Sequence, residues 1–395
     1  MRKFSVLMTL LVIATFVLSA CAQPTPTPVP PTKAPAAAPT AVPAPTKAPE
    51  PTKAPEPTKA PEPTKAPAPT ATQAPAATQA PAPTATTPPP KCDKLPNMPT
   101  VKAGDPGSAE KPLVIAFVPS GDTGKITKAG TDIADCLNKM TGLSFKIEVG
   151  TTFAASIEAM GANKAQVGFL NTFAILLAQQ KYGIEPALIN LRRYNTNDID
   201  PDKALKGQMS PYYKGQFIAK KDSGIKSYAD LKGKTFCFVD PTSTSGYIIP
   251  NIILKANGIN PDKDFKAVQN AGSHNNVGIA VYKGDCDAGV TFIDVLTDTA
   301  ANLKEKFPDI ADKVAAFAVT DRIPNDGVQF VKGLDAGIKT AITDALMAIA
   351  ADAGGVKMLS NLYSINGYSK LDKPYYDDFA AVLKKAGVDP ATLVK

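Results

Sequence analysis

The sequence predicts an α/β protein of two lobes, each a mostly parallel sheet flanked by helices, joined by a hinge of two crossovers. Three observations predict it. After Pro112, short apolar runs alternate with segments of helical period, the pattern of strands connected through helices. Two polar stretches without period, Arg193 to Tyr213 and Thr320 to Gly327, interrupt that alternation and read as passages between lobes. Once the first 90 residues are set aside, about 305 remain, which suits two α/β lobes of roughly 150 each.

Met1-Arg-Lys is a short positive start, and Phe4 to Leu18 is an apolar run ending at Leu18-Ser19-Ala20-Cys21. The run is too short to span a bilayer and has the shape of a signal peptide. Its last four residues resemble the lipobox of bacterial lipoproteins, which implies cleavage after residue 20 and acylation of Cys21; an ordinary secretory signal is the plainer reading. Of the 38 prolines, 23 fall between Ala22 and Pro90, in a stretch without glycine or aromatic residues that repeats Pro-Thr-Lys-Ala-Pro-Glu three times from Pro45. Such a composition cannot bury a core, and proline biases it toward extended polyproline II, so residues 21–90 read as a lipidated cysteine and a disordered linker. Thr beside Pro would also suit O-glycosylation.

Charge and cysteines narrow the class. The formal +7 falls to +5 without Arg2 and Lys3, and to +3 without the linker's five lysines and three glutamates, which is not a nucleic-acid-binding surface. A single histidine, His274, argues against HExxH zinc or His-ligated iron sites, and no metal or cofactor is expected. Cys92, Cys136, Cys237 and Cys286 remain outside the cytoplasm; an even count permits two disulfides in three connectivities. Cys237 and Cys286 lie in or beside strands of one lobe, so they are expected to pair, and Cys92 with Cys136.

In the folded part, strands are expected at Leu113 to Val118, Leu143 to Val149 and Gln166 to Leu170, with helices at Thr127 to Met140, Phe153 to Met160 and Thr172 to Lys181. A second series has strands at Gln216 to Ala219, Lys234 to Val239, Phe265 to Gln269, Asp287 to Phe292 and Val314 to Val319. Helices at Asp335 to Ala353, Val356 to Tyr363 and Tyr375 to Ala386 are expected to pack back on the first lobe. The first lobe is thus 91–205 plus 328–395 and the second 206–327. A cleft between hinged lobes is a device for closing on a ligand.

The most informative stretch is Asp240-Pro-Thr-Ser243-Thr244-Ser245-Gly246, where a buried strand ends and a helix begins. Free amides at a helix start carry partial positive charge, so consecutive hydroxyls there form a cradle for an anion; an ordinary N-cap would need only one. Gly272-Ser273-His274-Asn275-Asn276 repeats the arrangement after the next strand, with His274 in the first helical turn. Other motifs fail. Ser120-Gly-Asp-Thr-Gly-Lys-Ile lacks the first glycine and the Ser/Thr of a P-loop, no GxSxG is present, and Asp240, Asp294, Asp298 and Asp326 form a carboxylate pair only by assumption.

Lys234 to Lys255 followed by Gly272-Ser-His274 resembles the PhnD-like phosphonate-binding proteins of ABC transporters, in which a DPxSTSG loop holds the phosphonate and the GSH motif adds a contact. The resemblance runs from about Pro112 to about Lys332 and includes Phe153-Ala-Ala-Ser-Ile-Glu-Ala-Met and Gly168-Phe-Leu-Asn171-Thr172-Phe173. It implies a type II periplasmic-binding-protein-like fold, with Ser243, Thr244, Ser245, Gly246 and His274 on the oxyanion. Asp326 and Asp294 would read the rest of the ligand, and Phe153, Asn171, Thr172 and Phe173 would face it from the first lobe. Phe153 stands where the family often has tyrosine, and Asn171-Thr172 replaces a Gly-Pro pair, so phosphite, phosphate, a small phosphonate or another small anion would suit the pocket. The implied partners are an ABC permease and a membrane reached by the lipid anchor, with the protein a monomer outside the cytoplasm. Alternatives are a binding protein or sensor for a sulfonate or a pyrimidine vitamin precursor, a tethered hydrolase using Asp240 or Asp294, and a surface protein that binds nothing.

Overall fold

A computed structural model describes residues 87–371 and 375–390. Cys21, the signal segment and nearly all of the Pro-rich linker lie outside the described residues.

Strand β1 (Leu113–Phe117) is apolar on both faces because helices cover it from both sides. It pairs in parallel with β2 (Phe145–Val149) and β3 (Val167–Leu170). The helix Thr123–Thr141 between β1 and β2 starts four residues earlier than its apolar period suggests, because Asp122 caps it by accepting from Lys125 N at 3.0 Å. The sequence Thr-Gly-Lys, which imitates a P-loop, is its first turn. Ile126, Ile133, Leu137 and Met140 form its buried stripe, and Gly142 ends it in a left-handed conformation.

Two sheets result. The first has the order β14-β4-β13-β3-β1-β2, with β4 at Glu185–Arg193, β13 at Gly327–Phe330, β14 at Gly367–Lys370, and β5 (Met209–Ser210) added to β4. The second has the order β11-β7-β10-β8-β9, with β7 at Gly215–Lys220, β8 at Thr235–Phe238, β9 at Ala267–Asn270, β10 at Ala288–Phe292 and β11 at Val314–Val319. Each is mixed rather than mainly parallel. The triplets β2-β1-β3 and β9-β8-β10 are parallel, whereas β13 and β7 are entered from the other lobe and insert antiparallel.

The passages between lobes are shorter than the polar stretches suggest. Met209–Ser210 and Gly327 hydrogen-bond within the first sheet, although the sequence assigns both to the second lobe. What crosses is a two-stranded ribbon in which β6 (Tyr212–Tyr213) pairs with β12 (Ile323–Pro324). β13 escapes prediction because it is four residues long and begins at a glycine. A Cβ on Gly327 would sit 1.9 Å from Leu188 O, so only glycine lets β13 lie against β4 there.

The helices Ala336–Ala351 and Ala353–Tyr363 pack on Thr123–Thr141 in the first lobe. Cys92 is joined to Cys136 on that same helix, with Cα atoms 5.1 Å apart. Cys237 of β8 is joined to Cys286, just before β10, at 5.9 Å.

Candidate functional site

The second lobe supplies one wall. β8 runs into Asp240, whose Oδ1 accepts from Thr242 N (2.8 Å) and Thr242 Oγ1 (2.6 Å) and turns the chain. Ser243 then opens the next helical segment, its Oγ accepting from Gly246 N at 3.2 Å, and Ile248 N reaches back to Ser243 O in a wide first turn. Gly246 serves packing, since a Cβ there would lie 2.4 Å from Val239 Cγ2. The amides of Thr244 and Ser245 fall in a first turn, where no earlier carbonyl is available inside the helix.

His274 stands beside Ser243. Its Nδ1 accepts from Phe292 N at 3.2 Å, and its Nε2 lies 3.5 Å from Ser243 Oγ. Burial, and secondarily the positive charge of Arg192, lower its pKa from 6.5 to about 3. The ring is therefore neutral, and because Nδ1 is used as an acceptor its proton sits on Nε2, a donor directed at the serine loop.

Opposite stands the first lobe. Thr244 Oγ1 accepts from Phe173 N and from Asn171 Nδ2, both at 2.9 Å, and Asn171 Nδ2 also reaches Thr242 O at 2.9 Å. The middle hydroxyl of the loop is thus a contact across the cleft. Further bonds across the rim join His274 N to Ser120 O (3.1 Å), Lys125 to Glu305 and Lys306 to Asp122 (3.4 Å each).

A cavity of about 120 Å³ lies between these walls. Of the residues singled out in the sequence, Ser243, Thr244, Ser245, His274, Phe153, Asn171, Asp294 and Asp326 line it. Gly246, Thr172 and Phe173 do not. Thr172 Oγ1 instead donates to Pro324 O at 2.6 Å beside the ribbon, and Phe173 contributes its amide to Thr244.

Sequence reasoning missed the cation. Arg192, at the end of β4, lines the cavity with its guanidinium held on three sides: Nε donates to Tyr363 O (2.9 Å), Nη1 to Asn325 Oδ1 (3.2 Å) and Nη2 to Asp326 Oδ2 (3.0 Å). Nη1 also lies 2.8 Å from Asp326 Oδ1, a charge contact without hydrogen-bond alignment. Burial is the largest single influence and works against the charge on Arg192, but Asp326, Tyr213 and Asp294 together outweigh it and raise the pKa. Asp326, expected to face the ligand as a free carboxylate, is therefore already paired. The available signal was the mostly apolar stretch Ala187 to Leu191 running directly into Arg192 and Arg193.

Two more groups were missed. Tyr213, on the ribbon, lines the cavity with Ser245 and Thr244, and burial, with Asp326 nearby, pushes its phenol up to about 12. Asn195 donates from Nδ2 to Asp294 Oδ2 at 2.6 Å. Burial, then the neighbouring Asp298, raises Asp294 to about 7. The wall is thus rich in neutral donors, with one guanidinium already partnered and one carboxyl that changes charge near neutrality. That combination can hold a small oxyanion through hydrogen bonds.

A family model described as the periplasmic substrate-binding protein of a phosphonate ABC transporter matches residues 115–376. The chain is similar to the phosphate-import protein PhnD of Mycolicibacterium smegmatis, with 28% identity over 193 residues, covering 47% of this chain and 56% of that one. It is also similar to the phosphonates-binding periplasmic protein of Escherichia coli, with 26% identity over 242 residues, covering 60% and 66%. It therefore spans a little over half of the first and just under two thirds of the second. Among solved structures, a binding protein component of an ABC phosphonate transporter from Pseudomonas aeruginosa superposes with TM-score 0.60 at 21% identity, over 70% of this chain and 86% of that one. PhnD1 of Prochlorococcus marinus, in complex with methylphosphonate, gives 0.58 at 17%, over 70% and 98%. At these identities the superpositions speak to the fold.

Proposed function

The chain belongs to the family of periplasmic substrate-binding proteins of phosphonate ABC transporters, and from that membership we propose that it captures a phosphonate or related phosphorus oxyanion in the cleft and hands it to a membrane permease. The observation that carries the reading is the convergence of Ser243, Thr244, Ser245 and the Nε2–H of His274 on one cavity closed by the other lobe. Three or four hydrogen bonds to an anion, at roughly 1.5 to 3 kcal/mol each, match the roughly 8 kcal/mol of micromolar affinity before ordering costs. We assign the carboxyl that reads a ligand proton to Asp294 rather than to the paired Asp326. We take the moving halves to meet at the ribbon of β6 and β12, place the protein outside the cytoplasm as a monomer, and assign its membrane attachment to a lipid on Cys21.

A carrier fits better than a hydrolase. Asp240 is turned into its own loop by Thr242, and His274 spends Nδ1 on a backbone amide, which leaves neither placed as a base for a nucleophile. Calorimetry of the full chain with methylphosphonate, phosphite, phosphate and sulfate at pH 8 tests the proposal. Stoichiometric binding of a phosphorus oxyanion without turnover is expected. Sulfate, which brings no proton for a cavity carboxylate, should bind more weakly than hydrogen phosphate, which still carries one at pH 8. Equal affinity for sulfate would contradict the role of Asp294, and no binding of any phosphorus oxyanion would overturn the function.

A further inference from the structure

Between β4 and β5 the chain makes an excursion over residues 195–207. Both ends are fastened to the first lobe: Arg192 and Arg193 pair with Ser210 and Met209, Tyr194 N donates to Gln208 O and Gly207 N donates to Tyr194 O, both at 2.8 Å. The side chains of the excursion go elsewhere. Asn197 Nδ2 donates to Gln216 Oε1 on β7 (2.9 Å), Lys214 at the start of β7 is 2.8 Å from both Asp200 and Asp202, and Asp202 takes Arg322 on both oxygens at 2.9 and 3.0 Å. The Lys214 and Asp200 side chains are 4% and 0% exposed, so this pair at the heart of the cluster is buried, and losing one partner would strand the other. The excursion is a strap: rooted in the first lobe, clamped onto the entry to the second, with Asn195 at its start reaching the cavity.

We propose that Asn195 is a positioning residue for ligand capture, its amide held by the strap so that it fixes the Asp294 carboxyl against the bound anion. This rests on the cavity being the anion site. The charged or titratable groups around Asp294 are Asp298 on its own turn and Arg192 at the end of β4, with Asp326 beyond Arg192 and neutral His274 on the same cavity. Burial and Asp298 favour the protonated carboxyl, while Asn195 and Arg192 favour the ionised one. An ionised Asp294 accepts from an oxyanion that still carries a P–OH proton and repels one that carries none, whereas a protonated Asp294 can donate to either. Affinity should therefore fall as pH rises through the Asp294 titration, and the strength of the Asn195 contact sets where that fall occurs.

The test compares full-length wild type with Asn195→Ala and Asn195→Gln. Carboxyl carbon NMR of the ligand-free proteins follows the Asp294 titration, and calorimetry with methylphosphonate between pH 5.5 and 8.5 follows binding. The second ionisation of methylphosphonate is common to all three proteins and cancels in the comparison. Asn195→Ala is expected to move both midpoints to higher pH, and Asn195→Gln, which keeps the donor, to move them back toward wild type. A uniform loss of affinity at every pH, or an unmoved Asp294 titration, overturns the proposal. If Asn195→Ala fails to fold, Asn195→Ser carries the same comparison. A wild type that binds no oxyanion defeats the function proposed above, and the Asn195 assignment is then judged on the titration of Asp294 alone.

Discussion

His274 shows how one residue's surroundings settle its chemistry. A histidine beside an anion site invites the expectation of a charged partner, but burial holds its pKa near 3, so it acts as a neutral donor. The same shift carries a stability consequence. Unfolded, the ring takes up a proton near 6.5; folded, it refuses one until about pH 3, so the unfolded state binds more protons in between. The stability linked to this ring is fully present above pH 6.5 and is lost as pH falls toward 3. Melting His274→Gln beside wild type from pH 7 to pH 4 should give the variant the shallower decline, and parallel curves would contradict the assigned state. Ser243 lends itself to a simpler measurement: Ser243→Ala should weaken methylphosphonate by about 1 to 3 kcal/mol in calorimetry, and an unchanged Kd would remove the loop from the site.

At the scale of elements, the strand β8 and the loop it launches depend on a covalent tie. Cys237 on β8 and Cys286 before β10 are 49 residues apart in sequence, so their bond closes a long loop around the hydroxyl residues. Replacing both by serine should cost on the order of 4 kcal/mol from lost loop closure, read as a lower denaturant midpoint under non-reducing conditions. An unchanged midpoint would mean the bond contributes nothing. Elements whose signal is local were legible: the helix Thr123–Thr141 has period and a side-chain cap, and the loop from Ser243 to Ser245 has its hydroxyl run. β13 and β14 were not, because four residues carry too little pattern to separate a strand from a loop, and what makes them strands is a neighbour already in place. Arg192 stayed hidden for a related reason: its partner Asp326 lies 134 positions away.

For the whole molecule, the question is how the halves stay shut. Thr244 accepts from the Phe173 amide and from Asn171, 71 and 73 positions away, so the loop proposed to hold the anion also grips the opposite lobe. The rim pairs Lys125–Glu305 and Lys306–Asp122 are exposed and add little. Thr244→Val keeps the shape of the side chain but leaves the buried Phe173 amide without its acceptor, a cost of about 1 to 3 kcal/mol borne only by the closed form. Small-angle scattering of the ligand-free variant should show a larger radius of gyration than wild type. Identical curves would mean that the latch does not hold closure.

Composition and periodicity are local quantities, and they were enough to point to an α/β fold after Pro112 and to single out the hydroxyl-rich turn at the end of β8. The pairing of Arg192 with Asp326, the grip of Thr244 on the first lobe and the strap that brings Asn195 to Asp294 join residues about a hundred positions apart. Such contacts leave no spacing or period in the chain. They exist only once two sheets have been folded and set face to face, and so the charge and protonation of the cavity were decided by tertiary structure.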